Sequence, residues 1–448
     1  MQSKPVIDHQ TALIVGTEMK RSRGLMPVEA SLDELAALVA TAGAEATGRV
    51  YQKLENIDPA TYVGSGKVQE IKILADELDV NMVIFDDELS PRHQRELEDE
   101  LGEDILLLDR TALILDIFAQ HARTSEGQLQ VELAQLEYRL PRLTRMWTHL
   151  VRQAGGRAGG SGGGVGLRGP GETQLEVDRR MINQRISQLR KELGQVRAHR
   201  ARHRQRRQQG DIPLVALVGY TNAGKSTLLN RVSGSSVLTA DKLFATLDPT
   251  TRRVQLPEGR SMMLTDTVGF IHKLPTMLVA AFRATLEEVT EANLLIHVVD
   301  GAHPFAKEHT EAVKDTLAHL AVDDLPMITA LNKIDLLDES DQAALHKDGW
   351  DDPVLISAVT GAGLDDLLAR VEKAIFRTWI NIRVLIPYDN GRLTSLFHSK
   401  GKIQSEEHTG EGVVIIGSLP IHLVHHFQDL LLPAANADPL PSASPEEK

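Results

Sequence analysis

The chain contains no cysteine, which removes disulfide bridges, thiolate metal sites and cysteine nucleophiles together. It has no run of about 18 apolar residues, so no membrane-spanning helix is expected. The opening residues, MQSKPVIDHQTALIVG, hold too short an apolar stretch for a signal peptide, and polar residues interrupt it, which makes the cytosol the expected compartment. No internal repeat is present. Positive charge is in deficit: 49 Lys and Arg face 62 Asp and Glu, a formal net charge of -13. A chain so acidic is not a generic nucleic-acid binder as a whole. What remains is ordinary for a globular protein, 42% hydrophobic and 25% charged. The 448 residues suffice for roughly three domains of about 100–200 residues each.

The composition divides the chain into regions. Residues 1–115 alternate short apolar runs with helical patterns. Ala12–Gly16, Met82–Phe85 and Ile105–Leu108 read as strands, Leu32–Thr41 and Val68–Leu78 as helices. Strands alternating with helices predict a small α/β sheet, parallel in large part. Residues 116–209 change character. Leu129, Leu133, Leu136, Leu140 and Leu143 recur at three- and four-residue spacing, and so do Ile182, Ile186, Leu189, Leu193 and Val196. Each set draws one apolar stripe on a helix. Two stripes joined by a loop predict an antiparallel helical hairpin, with Pro141 interrupting its first arm. Residues 210–378 carry the motifs described below, residues 379–432 read as a small separate α/β unit, and residues 433–448 as a disordered tail rich in Pro, Ala and Ser. In the small unit Ile382–Ile386 and Val413–Ile416 read as strands and Leu423–Leu432 as a helix.

Charge is distributed unevenly over the hairpin. The joining tract, Gly155–Gly171, is GGRAGGSGGGVGLRGPG, too rich in glycine to build a packed element. It carries Arg157 and Arg168, and Arg139, Arg142, Arg145 and Arg152 precede it. From Arg179 to Arg207 eleven Lys or Arg stand against one acid, Glu192. On an acidic chain this is a local positive stripe whose natural counterpart is a phosphate backbone, with Arg179, Arg180, Arg190, Arg197 and Arg200 as candidate RNA contacts beside the two loop arginines. The competing reading is a flexible linker and a solvated helix face.

The strongest motif is Gly219-Tyr220-Thr221-Asn222-Ala223-Gly224-Lys225-Ser226, followed by Thr227. It fits G-x-x-x-x-G-K-[ST] in full, between a strand run at Leu214–Val218 and a helical pattern. Such a loop curls its N–H groups around phosphate at a helix N-terminus. Lys225 would reach the β- and γ-phosphates and Ser226 would hold Mg²⁺. Forty residues after the lysine, Asp266-Thr267-Val268-Gly269 follows a second strand. Asp266 suits a Mg²⁺ held through water, and Gly269 lets its N–H approach the γ-phosphate. Asn332-Lys333-Ile334-Asp335 follows a third strand. The Asp335 carboxylate can accept both N–H donors of guanine, which adenine lacks, and so selects GTP over ATP. Ser357, Ala358 and Val359 form the partner loop for the base. Between the first two motifs, Phe244-Ala245-Thr246-Leu247-Asp248 precedes Pro249, Thr250 and Thr251. A threonine here closes over Mg²⁺ when triphosphate is bound, and by spacing Thr246, Thr250 and Thr251 are all candidates. The expected fold is a P-loop GTPase domain flanked by the N-terminal α/β domain with its hairpin and the small C-terminal α/β domain.

Together these motifs resemble the HflX branch of translation-factor-like GTPases. Gly219–Ser226, FATLD at 244–248, DTVGF at 266–270 and NKID at 332–335 carry the resemblance. Outside the GTPase core, Tyr62-Val-Gly-Ser-Gly-Lys67 and the glycine tract running into RGPGETQLE extend it over most of residues 10–375. The resemblance implies that Thr246 is the Mg²⁺-linked threonine and that Lys225, Thr246 and Gly269 serve the reacting phosphate. It implies a cytosolic, monomeric factor that binds the large ribosomal subunit through its N-terminal domain and splits or rescues stalled ribosomes.

Phe270 follows DTVG where Ras-type enzymes place a water-orienting glutamine, so slow intrinsic hydrolysis is expected, accelerated by a partner. His272 and Arg283 are the candidates for a group acting in cis. Gly64-Ser-Gly-Lys67 lacks the full phosphate-loop spacing and reads as a glycine turn that starts a helix. Two other functions fit the same motifs: a switch acting on a protein effector, and a nucleotide-dependent RNA-remodelling factor.

Overall fold

The computed structural model describes residues 10–20, 25–143, 174–208, 212–234, 243–244, 246–275, 287–320, 322, 325–347, 349–377 and 379–432. Three sheets organise them. The first unit runs β1 (Thr11–Met19), α1 (Val28–Ala42), β2 (Glu45–Leu54), α2 (Ser65–Glu77), β3 (Met82–Phe85), α3 (Pro91–Leu101), β4 (Leu106–Asp109) and α4 (Arg110–His121). Its strands lie in the order β2-β1-β3-β4, all parallel. β1 is buried on both faces, as a central parallel strand must be. Ala12 and Ile14 face α1 and α4, while Leu13 and Val15 face α2 and α3, the two-residue alternation of a strand. β2 has no apolar run because it is an edge strand, and the sequence reading passed over it. The Gly64 turn does start a helix: Gly64 precedes α2, and Lys67 pairs with Glu70 one turn on at 2.7 Å.

The helical region contains α5 (Ser125–Arg139), a 3-10 turn at Leu140–Arg142 that holds Pro141, and α6 (Gln174–Gln208). Leu129, Leu133, Leu136 and Leu140 pack against Ile182, Ile186, Leu189 and Leu193, so both predicted stripes meet. The direction differs from expectation. Glu132 pairs with Arg185 and Glu137 with Arg190, each 53 residues on, so the two helices advance together and run parallel. In an antiparallel pair one number would rise as the other fell. The predicted joining segment, residues 144–173, lies outside the described residues. Arg142 is also not a surface charge. It is buried, donates to the Leu89 carbonyl at 2.6 Å and stacks over the Tyr138 ring.

The third unit contains β5 (Leu214–Val218), α7 (Lys225–Ser233), β6 (Thr250–Gln255), β7 (Ser261–Asp266), α8 (Glu287–Thr290), β8 (Leu294–Asp300), α9 (Ala306–His319), β9 (Met327–Asn332), α10 (Glu339–Lys347), β10 (Val354–Leu355) and α11 (Leu364–Arg377). Its strand order is β10-β9-β8-β5-β7-β6, parallel except for β6. The chain leaves β5 with neighbours on both sides, a topological switch point where open parallel sheets bind ligands beyond their carboxyl edges. The last unit pairs β11 (Trp379–Ile386), β12 (Lys402–His408) and β13 (Val413–Pro420) in the antiparallel order β11-β13-β12. α12 (Gly391–Lys400) covers it, with Phe397 edge-on to Phe427. In place of the predicted helix over Leu423–Leu432 stand a single turn, α13 (Ile421–Val424), and a 3-10 segment at His425–Leu430. Among the described residues no helix is long and apolar enough to cross a membrane.

The first and third units share one apolar core. Leu35, Ile114 and Phe118 of the first pack in the same cluster as Val218, Phe244 and Phe270 of the third. This shared core brings the first unit directly against the loops after β5 and β7.

Candidate nucleotide site

Between β5 and α7 the chain from Gly219 to Gly224 wraps back on itself. A Cβ on Gly219 would lie 2.2 Å from the Val298 carbonyl oxygen, and one on Gly224 would lie 2.3 Å from Asn332 Nδ2, so both positions need glycine. Asn222, half way round, has φ 59°. Lys225 is buried and turns back over the loop, donating to the carbonyls of Gly219 at 3.0 Å and Tyr220 at 2.7 Å. Burial pushes its ammonium down to about 8, against the opposing pull of Asp266. A triphosphate would supply the anionic oxygens that this desolvated cation lacks.

Ser226, Thr246 and Asp266 converge beside the lysine. Ser226 Oγ donates to Asp266 Oδ2 at 2.5 Å and lies 2.9 Å from Thr246 Oγ1. Asp266 Oδ1 is buried without a hydrogen-bond partner, and burial raises this carboxyl above the usual range. An orphaned buried carboxylate oxygen beside two hydroxyls is a hard oxygen set, the kind Mg²⁺ takes together with phosphate and water. Thr251 is placed elsewhere. Its hydroxyl donates to Thr265 at 3.1 Å across the β6–β7 pair, and Thr250 begins β6. Geometry therefore separates the three threonines that spacing left equal.

The base-side residues also come together. Asn332 Nδ2 donates to the Ala223 carbonyl at 2.8 Å and its Oδ1 accepts from Ala358 N at 2.9 Å, which ties the phosphate loop to the 357–359 loop. Ser357 Oγ donates to Asp335 Oδ1 at 2.5 Å. Asp335 is exposed and so is Val359, while Lys333, at φ 67°, pairs with Asp300 at 2.7 Å. Ile334 N bonds the Ile356 carbonyl at 3.3 Å.

Several predicted residues face away from the site. Phe244 and Leu247 are buried in the shared core, and Ala245 lies outside the described residues. Asp248 points to the start of α5. Tyr220 stacks on His309 at 3.7 Å between ring centroids, and its hydroxyl bonds Glu34 of α1 and accepts from His272 N at 2.7 Å. Thr221 N bonds the Phe270 carbonyl at 2.7 Å, and Thr267 Oγ1 bonds the Leu217 carbonyl at 2.6 Å. Thr227 is half-buried in α7, Val268 is buried, and a Cβ on Gly269 would stand 3.1 Å from Lys225 Nζ. The Phe270 ring is 1% exposed, so it cannot orient water. Burial holds the His272 imidazole down at about 4, neutral, and its backbone carbonyl accepts from Arg110 at 2.8 Å. Arg283 lies outside the described residues, as do Arg157 and Arg168. Arg179 and Arg180 are exposed on α6, Arg190 is spent partly on Glu137, and the side chains of Arg197 and Arg200 on the same helix lie outside the described set.

Sequence reasoning missed the polar joint behind the site. Arg110, Asp86 and Glu34 of the first unit meet Lys273 and Tyr220 of the third, with Lys273 Nζ 2.6 Å from both Asp86 and Asp87. No motif marks these residues, because their partners are remote in the chain.

A G-x-x-x-x-G-K-S loop after β5, an aspartate at the end of β7 and an Asn-Lys-Ile-Asp loop after β9, all at one edge of a mostly parallel sheet, are the arrangement of a P-loop GTPase. Three family models match consecutive parts of the chain: GTP-binding GTPase N-terminal over residues 29–119, GTP-binding GTPase Middle Region over 121–207, and 50S ribosome-binding GTPase over 214–333. The GTPase HflX of Caldanaerobacter subterraneus subsp. tengcongensis is 44% identical over 404 residues, 90% of this chain and 91% of that one. The GTPase HflX of Escherichia coli K12 is 44% identical over 385 residues, 86% and 88% of the two chains. The solved structure of a GTP-binding protein from Sulfolobus solfataricus in complex with GDP covers 82% of this chain and 99% of its own, at 25% identity and a TM-score of 0.40. The chain belongs to the HflX family of GTPases, and its activity is the hydrolysis of GTP to GDP and phosphate.

Proposed function

We propose that this GTPase is a cytosolic, monomeric factor that binds the large ribosomal subunit and acts on stalled or idle ribosomes, splitting or rescuing them. The observation that carries the reading is α6. This helix of 35 residues bears the basic stripe of an otherwise acidic chain, with Arg179 and Arg180 exposed, and it is seated by α5 on the unit that grips the nucleotide loops. A positive helix on an acidic body favours a polyanion at one place only. The description of the family model matched over residues 214–333 names a 50S ribosome-binding GTPase, which agrees with that reading.

In this reading Lys225 and the N–H groups of residues 219–227 neutralise and orient the phosphates, and Gly269 offers its N–H to the γ-phosphate. Ser226 and Thr246 would hold Mg²⁺ directly and Asp266 through water; the ion would neutralise charge on the β- and γ-phosphates. Asp335 takes the guanine ring N–H and amine, with Ser357 fixing its orientation; the Ala358 N–H, which donates to Asn332 Oδ1 at 2.9 Å, would turn to the guanine carbonyl when the base binds. Attack by water breaks the bond to the γ-phosphorus and leaves GDP. With Phe270 buried, the water is oriented by a group the ribosome orders or supplies.

GTP turnover measured with and without purified large subunits, at fixed salt and with pelleting of the complex, tests this. Stimulation in the samples that co-sediment is the expected result. Co-sedimentation that is unchanged after neutralising the arginines at 179, 180 and 190 would refute the role of α6.

A further inference from the structure

Phe244 and residues 246–248 are fastened on both sides of the site. Phe244 meets Phe118 of α4 edge-on, with ring centroids 4.7 Å apart. Thr246 Oγ1 reaches Ser226 at 2.9 Å, on the magnesium side. Leu247 is buried. Asp248 then leaves the nucleotide and grips the root of α5: its Oδ2 accepts from the backbone N–H of Arg123 and of Thr124, each at 2.9 Å, and its Oδ1 accepts from the Thr124 hydroxyl. Thr124 is itself the N-cap of α5, accepting from Gly127 N at 3.0 Å. A Cβ on Gly127 would stand 2.6 Å from Asp248 Oδ1, so a larger residue at 127 would make this carboxylate move.

We infer that Asp248 is a positioning residue that couples the nucleotide-dependent seat of Thr246 to the root of the α5–α6 pair. Only buried Leu247 separates the two contacts, and two residues of extended chain span at most about 7 Å. Thr246 cannot leave the metal side by much without drawing Asp248 from Thr124. With triphosphate bound, Thr246 is held and Asp248 holds Thr124, the N-cap of α5; with diphosphate, Thr246 is released and that hold loosens. α5 passes this on through its apolar seam with α6 and the Glu132–Arg185 pair. Coupling is reciprocal, so a ligand that fixes α5 and α6 also favours the seated Thr246. The inference rests on the magnesium-side role proposed for Thr246 and is independent of the ribosome reading.

Hydrogen exchange on the full chain alone tests it, comparing Mg²⁺–GDP with Mg²⁺ and a non-hydrolysable GTP analogue. The amides of Arg123 and Thr124 should exchange about tenfold more slowly with the triphosphate, within the range common for coupled sites. Equal rates in the wild-type chain overturn the inference. Asp248→Ala should bring the two rates within about twofold. Gly127→Ala should do the same, because it displaces the carboxylate while improving helix propensity. A difference undiminished in folded Gly127→Ala protein overturns the route through Asp248 even where Asp248→Ala fails to fold. Thr246→Ala should also abolish the difference. If the difference survives there, the coupling does not start at Thr246; if Mg²⁺-dependent hydrolysis also survives, the magnesium role itself is wrong.

Discussion

Arg110 and Asp86 form a buried ion pair in which two guanidinium nitrogens, Nη2 at 2.9 Å and Nε at 3.1 Å, donate to one Asp86 oxygen. Neither side chain is more than 1% exposed, and Lys273 from the loop after β7 adds a second cation to the same carboxylate. Burial alone would raise the Asp86 carboxyl; Arg110 and Lys273 outweigh it and hold the carboxyl below the usual range. Asp86 is therefore the joint between the first sheet and the loop that follows Gly269.

Removing that carboxylate takes away the one anion the two cations share, leaving Arg110 with Glu34 and Lys273 with Asp87. Breaking a buried pair from one side costs about 3–5 kcal/mol. Because Glu34 and Asp87 still pair with the two cations, Asp86→Ala should lower unfolding stability by about 3 kcal/mol, the low end of that range, in a urea titration. A loss below about 1 kcal/mol would show that the joint is solvated and that the two units pack through apolar contacts alone.

The base-side geometry makes a separate prediction. Ser357 orients Asp335, and both carboxylate oxygens are needed for the two guanine donors. Asp335→Asn replaces one acceptor with a donor that faces another donor. Two charge-assisted bonds weakened together should cost about 3 kcal/mol, roughly a hundredfold in GDP affinity. Titration of a fluorescent GDP analogue reads this directly, and unchanged affinity would remove Asp335 from base recognition.

Legibility in the sequence followed the range of each interaction. The phosphate loop and the Asn-Lys-Ile-Asp loop could be read because their chemistry is local: backbone turns that need glycine, and polar residues delivered at the ends of buried strands. β1 and β3 could be read because strands buried on both faces are written as apolar runs, and β4, the other edge strand, because it keeps the run Leu106–Leu108. β2 could not, since an edge strand facing water keeps polar side chains. The two stripes of α5 and α6 were visible, but a stripe has no direction, and only the Glu132–Arg185 and Glu137–Arg190 register sets it. Tyr220 and Asp248 read as nucleotide residues by position. Their partners, Glu34 and Thr124, lie 186 and 124 residues away, beyond any local pattern.

The threonines beside the site can be told apart by substitution. Thr246 meets Ser226, whereas Thr251 meets Thr265 on the neighbouring strand. Thr246→Ala should reduce Mg²⁺-dependent GTP hydrolysis at least tenfold, the loss of about 1.4 kcal/mol of transition-state stabilisation. Thr251→Ala should cost about 1 kcal/mol of stability and leave turnover near wild type. The opposite ranking would move the magnesium-linked role to β6.

His297 makes stability depend on pH. It sits on β8 beside Val218 of β5, 1% exposed, and its Nδ1 has no hydrogen-bond partner. Burial, aided by the charges of Lys314 and Lys225, holds its imidazole down at about 4. In the unfolded chain a histidine titrates near 6.5. Between those values the unfolded chain binds a proton that the folded chain refuses, so stability falls as pH drops through the window and the loss ends below about 4. The linkage is about 1.4 kcal/mol per pH unit once the unfolded histidine is protonated, or about 2 kcal/mol from pH 7 to pH 5. His297→Leu removes this proton while keeping an apolar side chain at the position. Urea unfolding of both proteins at pH 7 and pH 5 should show the variant losing about 2 kcal/mol less than wild type. Other acid-labile groups, including the half-buried His272 and His309, remain in both proteins and cancel in the difference. Parallel losses would mean that His297 accepts its proton in the folded state, and that β8 opens to water at the carboxyl edge of the sheet.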